Sequence, residues 1–271
     1  MPAQHIANQI GIPEFKQVVI YTGNVMRSVA GRDKPWNKKT NTELVQAISD
    51  TLYTSLQGPD VPSFRYYTET ELLEVPDLRL SSRIHPDDRN EVDVTAKLFY
   101  LDGSYSNSHI NQSIHHIKQL LNVDSIDTFI VSFNKESSVN EAWKDLEEYQ
   151  QNGIIHKLGI SDFDHTTLKT FLKREDLKVK PSINQVHVEK CCSLPLDLIQ
   201  LGKQENIEMT YNSDTRDILD TNTFSTLLSN NGVIKPSIEV QPRWVLKYDV
   251  FYRSRSIVAD KGYIVVGDVA K

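Results

Sequence analysis

Between Ile154 and Tyr211 three short runs rich in apolar and β-branched residues, Ile154 to Ile160, Ser182 to Val188 and Ile207 to Tyr211, alternate with longer stretches of helical periodicity. This rhythm predicts βαβ units and a parallel sheet. The same alternation begins earlier. Lys16 to Tyr21 reads as a first strand ending in the turn Thr22-Gly23-Asn24, and Thr42 can cap a helix carrying Leu44, Val45, Ile48, Leu52 and Leu56. Phe64 to Thr68 is a second strand, His85-Pro86 starts a helix, and Val92 to Leu101 is a third strand. Ser106 caps a helix with the stripe Ile110, Ile114, Ile117 and Leu121, and Ile126 to Phe133 is the next strand. Ser137 or Ser138 opens a helix carrying Val139, Trp143, Leu146 and Tyr149 that stops at Asn152-Gly153. Near the end, Ile238 to Tyr248 is expected to be a helix interrupted by Pro242 and leading into an eighth strand at Val250-Phe251-Tyr252, with Lys261 to Val266 a strand-like tail.

In parallel barrels, binding chemistry gathers at the C-terminal ends of the strands. Ser161, Asn184, Gln185 and the Tyr211-Asn212-Ser213 edge are therefore the positions to inspect. A length of 271 residues suits one domain over residues 1–271, and no fixed-period repeat divides it. The balance of 39% hydrophobic and 24% charged residues excludes a disordered chain, and no apolar run approaches a membrane span. A net charge of -6 argues against broad binding to nucleic acid or anionic lipid. The mixed run Arg32 to Lys39 reads as a solvated loop. Two cysteines, adjacent in sequence, close no useful loop, and Met1 to Phe15 lacks a signal-peptide pattern, so the cytoplasm is the expected compartment.

Few residues invite chemistry on their own. Of the eight histidines, His109 and His116 are seven residues apart on their helix, roughly 10 Å along its axis, and cannot share an ion, while His115 and His116 point in different directions. No metal site is expected. Asp145, Glu147 and Glu148 read as the solvated face of their helix. No glycine-rich phosphate loop and no nucleophile elbow occurs. Cys191-Cys192 lies just past a strand, and its chemistry leaves three readings: two packed thiols, a strained vicinal disulfide, or a thiol that bonds to a partner.

Leu158-Gly159-Ile160-Ser161-Asp162-Phe163 followed by Pro181 to Glu189 resembles the aldo-keto reductases, which are (β/α)8 TIM barrels. Within that superfamily, Asn184 to Leu198 with its Cys191-Cys192 and Pro195 resembles the regulatory (modifier) subunits of glutamate-cysteine ligase. So do Thr22-Gly23-Asn24, Thr95 to Phe99, Arg243 to Tyr248 and Lys261 to Ile264. The resemblance implies a barrel of aldo-keto reductase type. It also implies a partner, the ligase catalytic subunit, in a heterodimer with raised turnover, improved glutamate affinity and relieved glutathione inhibition.

An active reductase of that superfamily needs a tyrosine acid, a lysine, a histidine and an aspartate. Lys97 matches the lysine, Ser132 stands at the histidine position, and no aspartate before Lys97 has a tyrosine at the required spacing. A serine hydroxyl cannot replace an imidazole. Tyr66 and Tyr67 are read as packing or surface residues, and Lys97 as a lysine paired with a carboxylate at the barrel mouth. No catalytic residue and no cofactor is assigned. Arg253-Ser254 falls where reductases hold the 2′-phosphate of NADPH, which leaves residual NADPH binding open. For the cysteine pair, the resemblance favours redox-sensitive association. The alternatives to a regulatory subunit are an NADPH-dependent oxidoreductase with a rearranged site and a barrel adaptor for another partner.

Overall fold

The computed structural model describes residues 11–26, 40–78, 83–101, 106–133, 136–187, 195–254 and 257–270. Among the described residues the ten strands are β1 (Gln17–Tyr21), β2 (Arg65–Tyr67), β3 (Leu72–Val75), β4 (Val92–Tyr100), β5 (Ile126–Phe133), β6 (Ile155–Ser161), β7 (Ile183–His187), β8 (Glu208–Asn212), β9 (Val240–Tyr252) and β10 (Ile257–Val269). Among the described residues the helices are α1 (Thr40–Leu52), α2 (Asn107–Leu121), α3 (Glu136–Gln151), α4 (His165–Leu172), α5 (Leu196–Glu205) and α6 (Thr221–Asn230). A π-helical turn at Tyr53–Gln57 extends α1, and a 3-10 turn at Pro86–Glu91 leads into β4.

Local chemistry sets several helix ends, although Ser106 at the start of α2 makes no side-chain cap bond, and α1 and α3 begin at Thr40 and Glu136, ahead of the expected openers Thr42 and Ser137 or Ser138. Asp164 accepts from the Thr167 N–H at 2.7 Å and Asp220 from the Thr223 N–H at 2.8 Å, capping α4 and α6. Asn122 and Asn206 end α2 and α5 in the left-handed region, at φ 56° and 58°. Gly153, at φ +71°, turns the chain from α3 into β6.

All ten strands lie in one sheet, ordered β2-β3-β1-β10-β9-β4-β5-β6-β7-β8. From β4 to β8 each strand pairs in parallel with the next, with α2, α3 and α5 and the short α4 supplying crossovers. That is the βα succession expected of the barrel family. Beyond β4 the order changes: β9 pairs antiparallel with β4, β10 with β9, and β1 with β10. Three reversals leave β1 and β3 running opposite to β4–β8.

Here the C-terminal expectation needs correction. Residues 240–252 are a strand, not a helix with a proline interruption, and the tail at Lys261 to Val266 belongs to a thirteen-residue strand in mid-sheet. The burial of Val240, Pro242, Trp244, Leu246, Tyr248 and Val250 alternates with period two, which no helix can satisfy. Pro242 aligns with Gly267 at a register shift after Val266, the kind of bulge at which a strand tolerates proline. β3, which pairs in parallel with β1, was also not anticipated.

The alternation places two cores on opposite faces of the β1, β10, β9 and β4 strands. One contains Val94, Ala96, Leu98, Trp244 and Leu246 with Ile110, Ile114 and Ile117 of α2. The other contains Phe99, Val245, Tyr263 and Val265 with Leu44 and Ile48 of α1 and Phe224 of α6. Burying each large apolar side chain contributes about 1.5–3 kcal/mol before conformational entropy is set against it. Glu147, expected on a solvated face, is instead 3% exposed and accepts the N–H groups of Lys178 and Val179 at 2.8 and 2.9 Å. It ties α3 to the loop that enters β7. Among the described residues no helix is long and apolar enough to cross a membrane.

Candidate functional site

Lys97 lies on β4 opposite Lys247 of β9, and both side chains reach Asp214, two residues past β8. The Lys97 Nζ is 3.4 Å from one Asp214 carboxylate oxygen and the Lys247 Nζ is 2.9 Å from the other. Asp214 is 2% and Lys97 5% exposed at the side chain, so this is a buried cluster in which one carboxylate serves two ammonium groups. Lys97 also lies 4.8 Å from the ring centre of Phe99. Burial pushes the Lys97 ammonium below the ordinary lysine range, and Lys247 adds to this, against the opposing pull of Asp214 and Asp162. Asp249, which alternates with Lys247 on the same face of β9, is pushed up by burial and held back by Lys247 and Lys261. Lys261 in turn pairs with Glu43 of α1 at 2.6 Å, and Glu43 also accepts the Tyr263 hydroxyl at 2.6 Å.

The polar positions expected at the strand ends come together beside this cluster. The Ser161 hydroxyl donates to the Gln185 carbonyl at 3.1 Å, and the Asn212 amide donates to the Gln185 side chain. Asn184, fully buried, closes a two-way clasp with the Phe163 backbone, accepting at 3.3 Å and donating at 2.8 Å. Tyr211, by contrast, turns outward and is 68% exposed. Asp162 holds the group together in the left-handed conformation, φ 61°, that an aspartate tolerates. Its carboxylate accepts the His187 N–H at 2.6 Å and the Ser161 hydroxyl at 3.0 Å, and lies 3.5 Å from the Arg216 guanidinium. The His187 ring contacts the Asp214 carbonyl at 2.9 Å, which links this network to the two lysines. A cavity of about 450 Å³ opens alongside, lined by Phe163, Val186, His187, Leu198 and Arg216 among others.

Ser132, at the histidine position, is 3% exposed and its hydroxyl has no hydrogen-bond partner among the described residues. It aligns with Phe99 across the β4–β5 pair, one alternation from Lys97. The large buried tyrosines have other engagements: Tyr21 bonds the His116 ring at 2.6 Å, Tyr263 bonds Glu43, and Tyr248 bonds Arg83. Burial pushes all three phenols well above the ordinary tyrosine range. Tyr67 bonds Glu74 at 3.3 Å. His109 meets the Tyr100 hydroxyl at 3.0 Å while His115 is exposed. Among the described residues no group of three metal-ligating side chains converges.

Arg253 lies at the other end of the parallel strands from Ser161. Its guanidinium contacts Asp93 at 2.8 Å and Asp127 at 3.1 Å, and donates to the Asn90 carbonyl at 3.0 Å. Two carboxylates at the starts of β4 and β5 thus already hold the guanidinium that would have to bind a 2′-phosphate. Cys191 and Cys192 lie outside the described residues, as does the run Arg32 to Lys39. Asp214, Lys247 and Asp162 were not singled out from the sequence. Lys247 was hidden by the helical reading of β9, and nothing in the local sequence of Asp214 announces a lysine 117 residues away.

The model of the aldo/keto reductase family matches residues 66–215, more than half of the chain. The glutamate–cysteine ligase regulatory subunit of Mus musculus is 32% identical over 260 residues, covering 91% of this chain and 90% of that protein. The chain belongs to the aldo/keto reductase family, among the glutamate–cysteine ligase regulatory subunits. The Homo sapiens protein of that name is 31% identical over 257 residues, again covering 91% of this chain and 90% of its own length. A putative glutamate–cysteine ligase regulatory subunit of Schizosaccharomyces pombe is 25% identical over 288 residues, covering 93% of this chain and 96% of that protein. The family match runs from β2 to Thr215 and so includes Lys97, Ser132, Ser161, Asp162 and Asp214, while β9 and β10 lie beyond it.

Proposed function

We propose that this chain is a non-catalytic regulatory subunit that binds the catalytic subunit of glutamate–cysteine ligase in a cytoplasmic heterodimer, raising turnover and glutamate affinity and relieving feedback inhibition by glutathione. The observation that carries the proposal is similarity to the named regulatory subunits across nine-tenths of the chain. The site supports it. A reductase lysine assists a tyrosine acid, whereas the buried tyrosines Tyr21, Tyr248 and Tyr263 bond to His116, Arg83 and Glu43 with their acidity weakened. Ser132 supplies no imidazole, and Arg253 is committed to carboxylates.

A fold that has given up its chemistry still offers a rigid surface. Regulation then requires only that the partner's more active conformation bind that surface better than its less active one. A tenfold shift needs ~1.4 kcal/mol of differential affinity, within the usual coupling range of about 1–3 kcal/mol.

The test is to mix the chain with its cognate catalytic subunit and follow mass by light scattering and rate against glutamate. A 1:1 complex, a higher rate at low glutamate and weaker glutathione inhibition, all saturating at equal stoichiometry, are the expected results. Absence of a complex at micromolar concentrations, with an unchanged glutamate dependence, sinks the proposal. Lys97 is the residue that favours the alternative of an NADPH-dependent oxidoreductase. Steady NADPH oxidation by pure protein, abolished by Lys97→Met, would establish that alternative instead.

A further inference from the structure

The sheet ends at β8, and no described strand pairs with its outer side. The Glu208 N–H donates inward to the Ser182 carbonyl at 2.9 Å. In a parallel ladder alternate residues bond to the same neighbour, so Glu208, Thr210 and Asn212 face β7 while Met209 and Tyr211 turn their N–H and C=O groups outward. Just before the strand, the Ile207 N–H is taken by the Gly202 carbonyl at 2.8 Å, which ends the free edge there. Proteins usually guard such an edge with lysine, proline, a bulge or a very short strand. At the opposite edge, β2 has only three residues and carries Arg65. The sequence of β8, Glu-Met-Thr-Tyr-Asn, has none of these guards, and its one charge lies at its start.

We infer that the outer edge of β8 pairs antiparallel with β8 of a second copy of this chain, about a two-fold axis at Thr210. That register sets Met209 opposite Tyr211 twice, and each hydrogen-bonded pair exchanges two backbone bonds. A two-fold axis at Met209 would put Tyr211 opposite Ile207, whose N–H is already used, and one at Tyr211 would run Met209 past the strand end. The axis at Thr210 also sets Glu208 opposite Asn212, so no like charges meet. It brings the two Thr210 side chains together as a non-hydrogen-bonded pair, where side chains approach most closely. The Thr210 hydroxyl is buried and has no hydrogen-bond partner among the described residues of one copy. Threonine pairs across strands hydrogen-bond to each other, and rotation of the side chain about χ1 would turn this hydroxyl toward such a partner. The exposed Tyr211 ring loses solvent in the same step.

The test uses the chain alone, in sedimentation velocity from nanomolar to hundreds of micromolar, with amide exchange measured at both ends of the range. The expected result is a shift from monomer to dimer with concentration, accompanied by slowed exchange at Met209 and Tyr211. Tyr211→Pro removes one outward N–H without touching the β7 ladder and is tolerated on an edge strand. It should weaken the dimer at least tenfold, while Tyr211→Thr, which keeps the N–H, should retain it. A parent that stays monomeric throughout overturns the inference, as does exchange at Met209 and Tyr211 that ignores concentration, whatever the folding of the proline variant. A dimer that forms as tightly with Tyr211→Pro also overturns it. If the parent is monomeric and Tyr211→Pro instead abolishes binding to a ligase catalytic subunit, the edge belongs to that partner and self-pairing is wrong.

Discussion

Asp214→Asn isolates the charge cluster with the least other disturbance, because the Asp214 backbone keeps its N–H bond to Asn212 at 3.1 Å and its carbonyl contact with His187. The substitution removes the one carboxylate shared by Lys97 and Lys247. Lys247 is 17% exposed and can recover some hydration, but Lys97, at 5%, cannot. Breaking a buried pair by deleting one partner typically costs about 3–5 kcal/mol, which for a chain of this size lowers the melting temperature by about 6–20 °C. The pH dependence has a definite sign. Burial already depresses the Lys97 pKa in the folded chain, and loss of Asp214 depresses it further, while the unfolded chain titrates near 10.4. Between those values the unfolded state binds more protons, so the variant should regain stability as the pH rises through that window. Urea and thermal unfolding followed by circular dichroism at about pH 7 and about pH 10 measure both effects. Adding Lys97→Met to the variant should restore most of the loss at neutral pH. A destabilisation under about 0.5 kcal/mol, or no rescue by Lys97→Met, would refute the reasoning.

His116 is buried against the Tyr21 hydroxyl with its pKa pushed down to about 4, so the folded chain holds it neutral where the unfolded chain protonates it. The parent should therefore lose roughly 3 kcal/mol relative to His116→Gln as the pH falls from 6.5 to about 4, measured by urea titration of both; parallel pH profiles would count against it. Gly159→Ala places a methyl carbon 2.9 Å from the Ile130 side chain and 3.3 Å from that of Ile183, and should cost about 1–3 kcal/mol by chemical denaturation, whereas an unchanged midpoint would show that β6 has room to shift. Cys191→Ser with Cys192→Ser should leave the circular dichroism unchanged and remove any oxidant dependence of association with the ligase catalytic subunit. Identical complex formation by parent and variant, with and without reductant, would assign the pair to packing.

Period and punctuation were enough to reveal β4 through β8 and their helices, because each is a local pattern: a β-branched run, a cap such as Asp164, a stop such as Gly153. The same reasoning failed from Val240 onward for a physical reason. Pro242 is a strong breaker in either periodicity, and it drew attention from the two-residue alternation that runs through it. With β9 read as a helix, the following strand lost its partner and became a tail. The pairing order of β1, β10, β9 and β4 could not then be reached, since it depends on contacts between the two ends of the chain, such as Gln17 aligned with Asp268. At the site, residue types at strand ends predicted the Ser161, Gln185 and Asn212 grouping, but not which charges would meet across the sheet.

The identity of Lys97's partner changes what its presence means. A lysine at a reductase position has two ways of surviving burial: beside groups that use its charge for chemistry, or as part of a structural pair that neutralises it. Asp214 comes from the loop after β8, Lys97 from β4 and Lys247 from β9, so the cluster joins the neighbouring strands β4 and β9 to the end of β8, four strands further along the sheet. Through His187 it extends to Asp162, Ser161 and Arg216, holding the ends of β6, β7 and β8 in one arrangement. A network in which every member is bonded fixes geometry more than it adds stability. A surface that must favour one conformation of a partner over another needs that fixed geometry, because a loose docking face adapts to both and discriminates neither. A Lys97 held by Asp214 within such a network suits a chain whose task is to hold a shape.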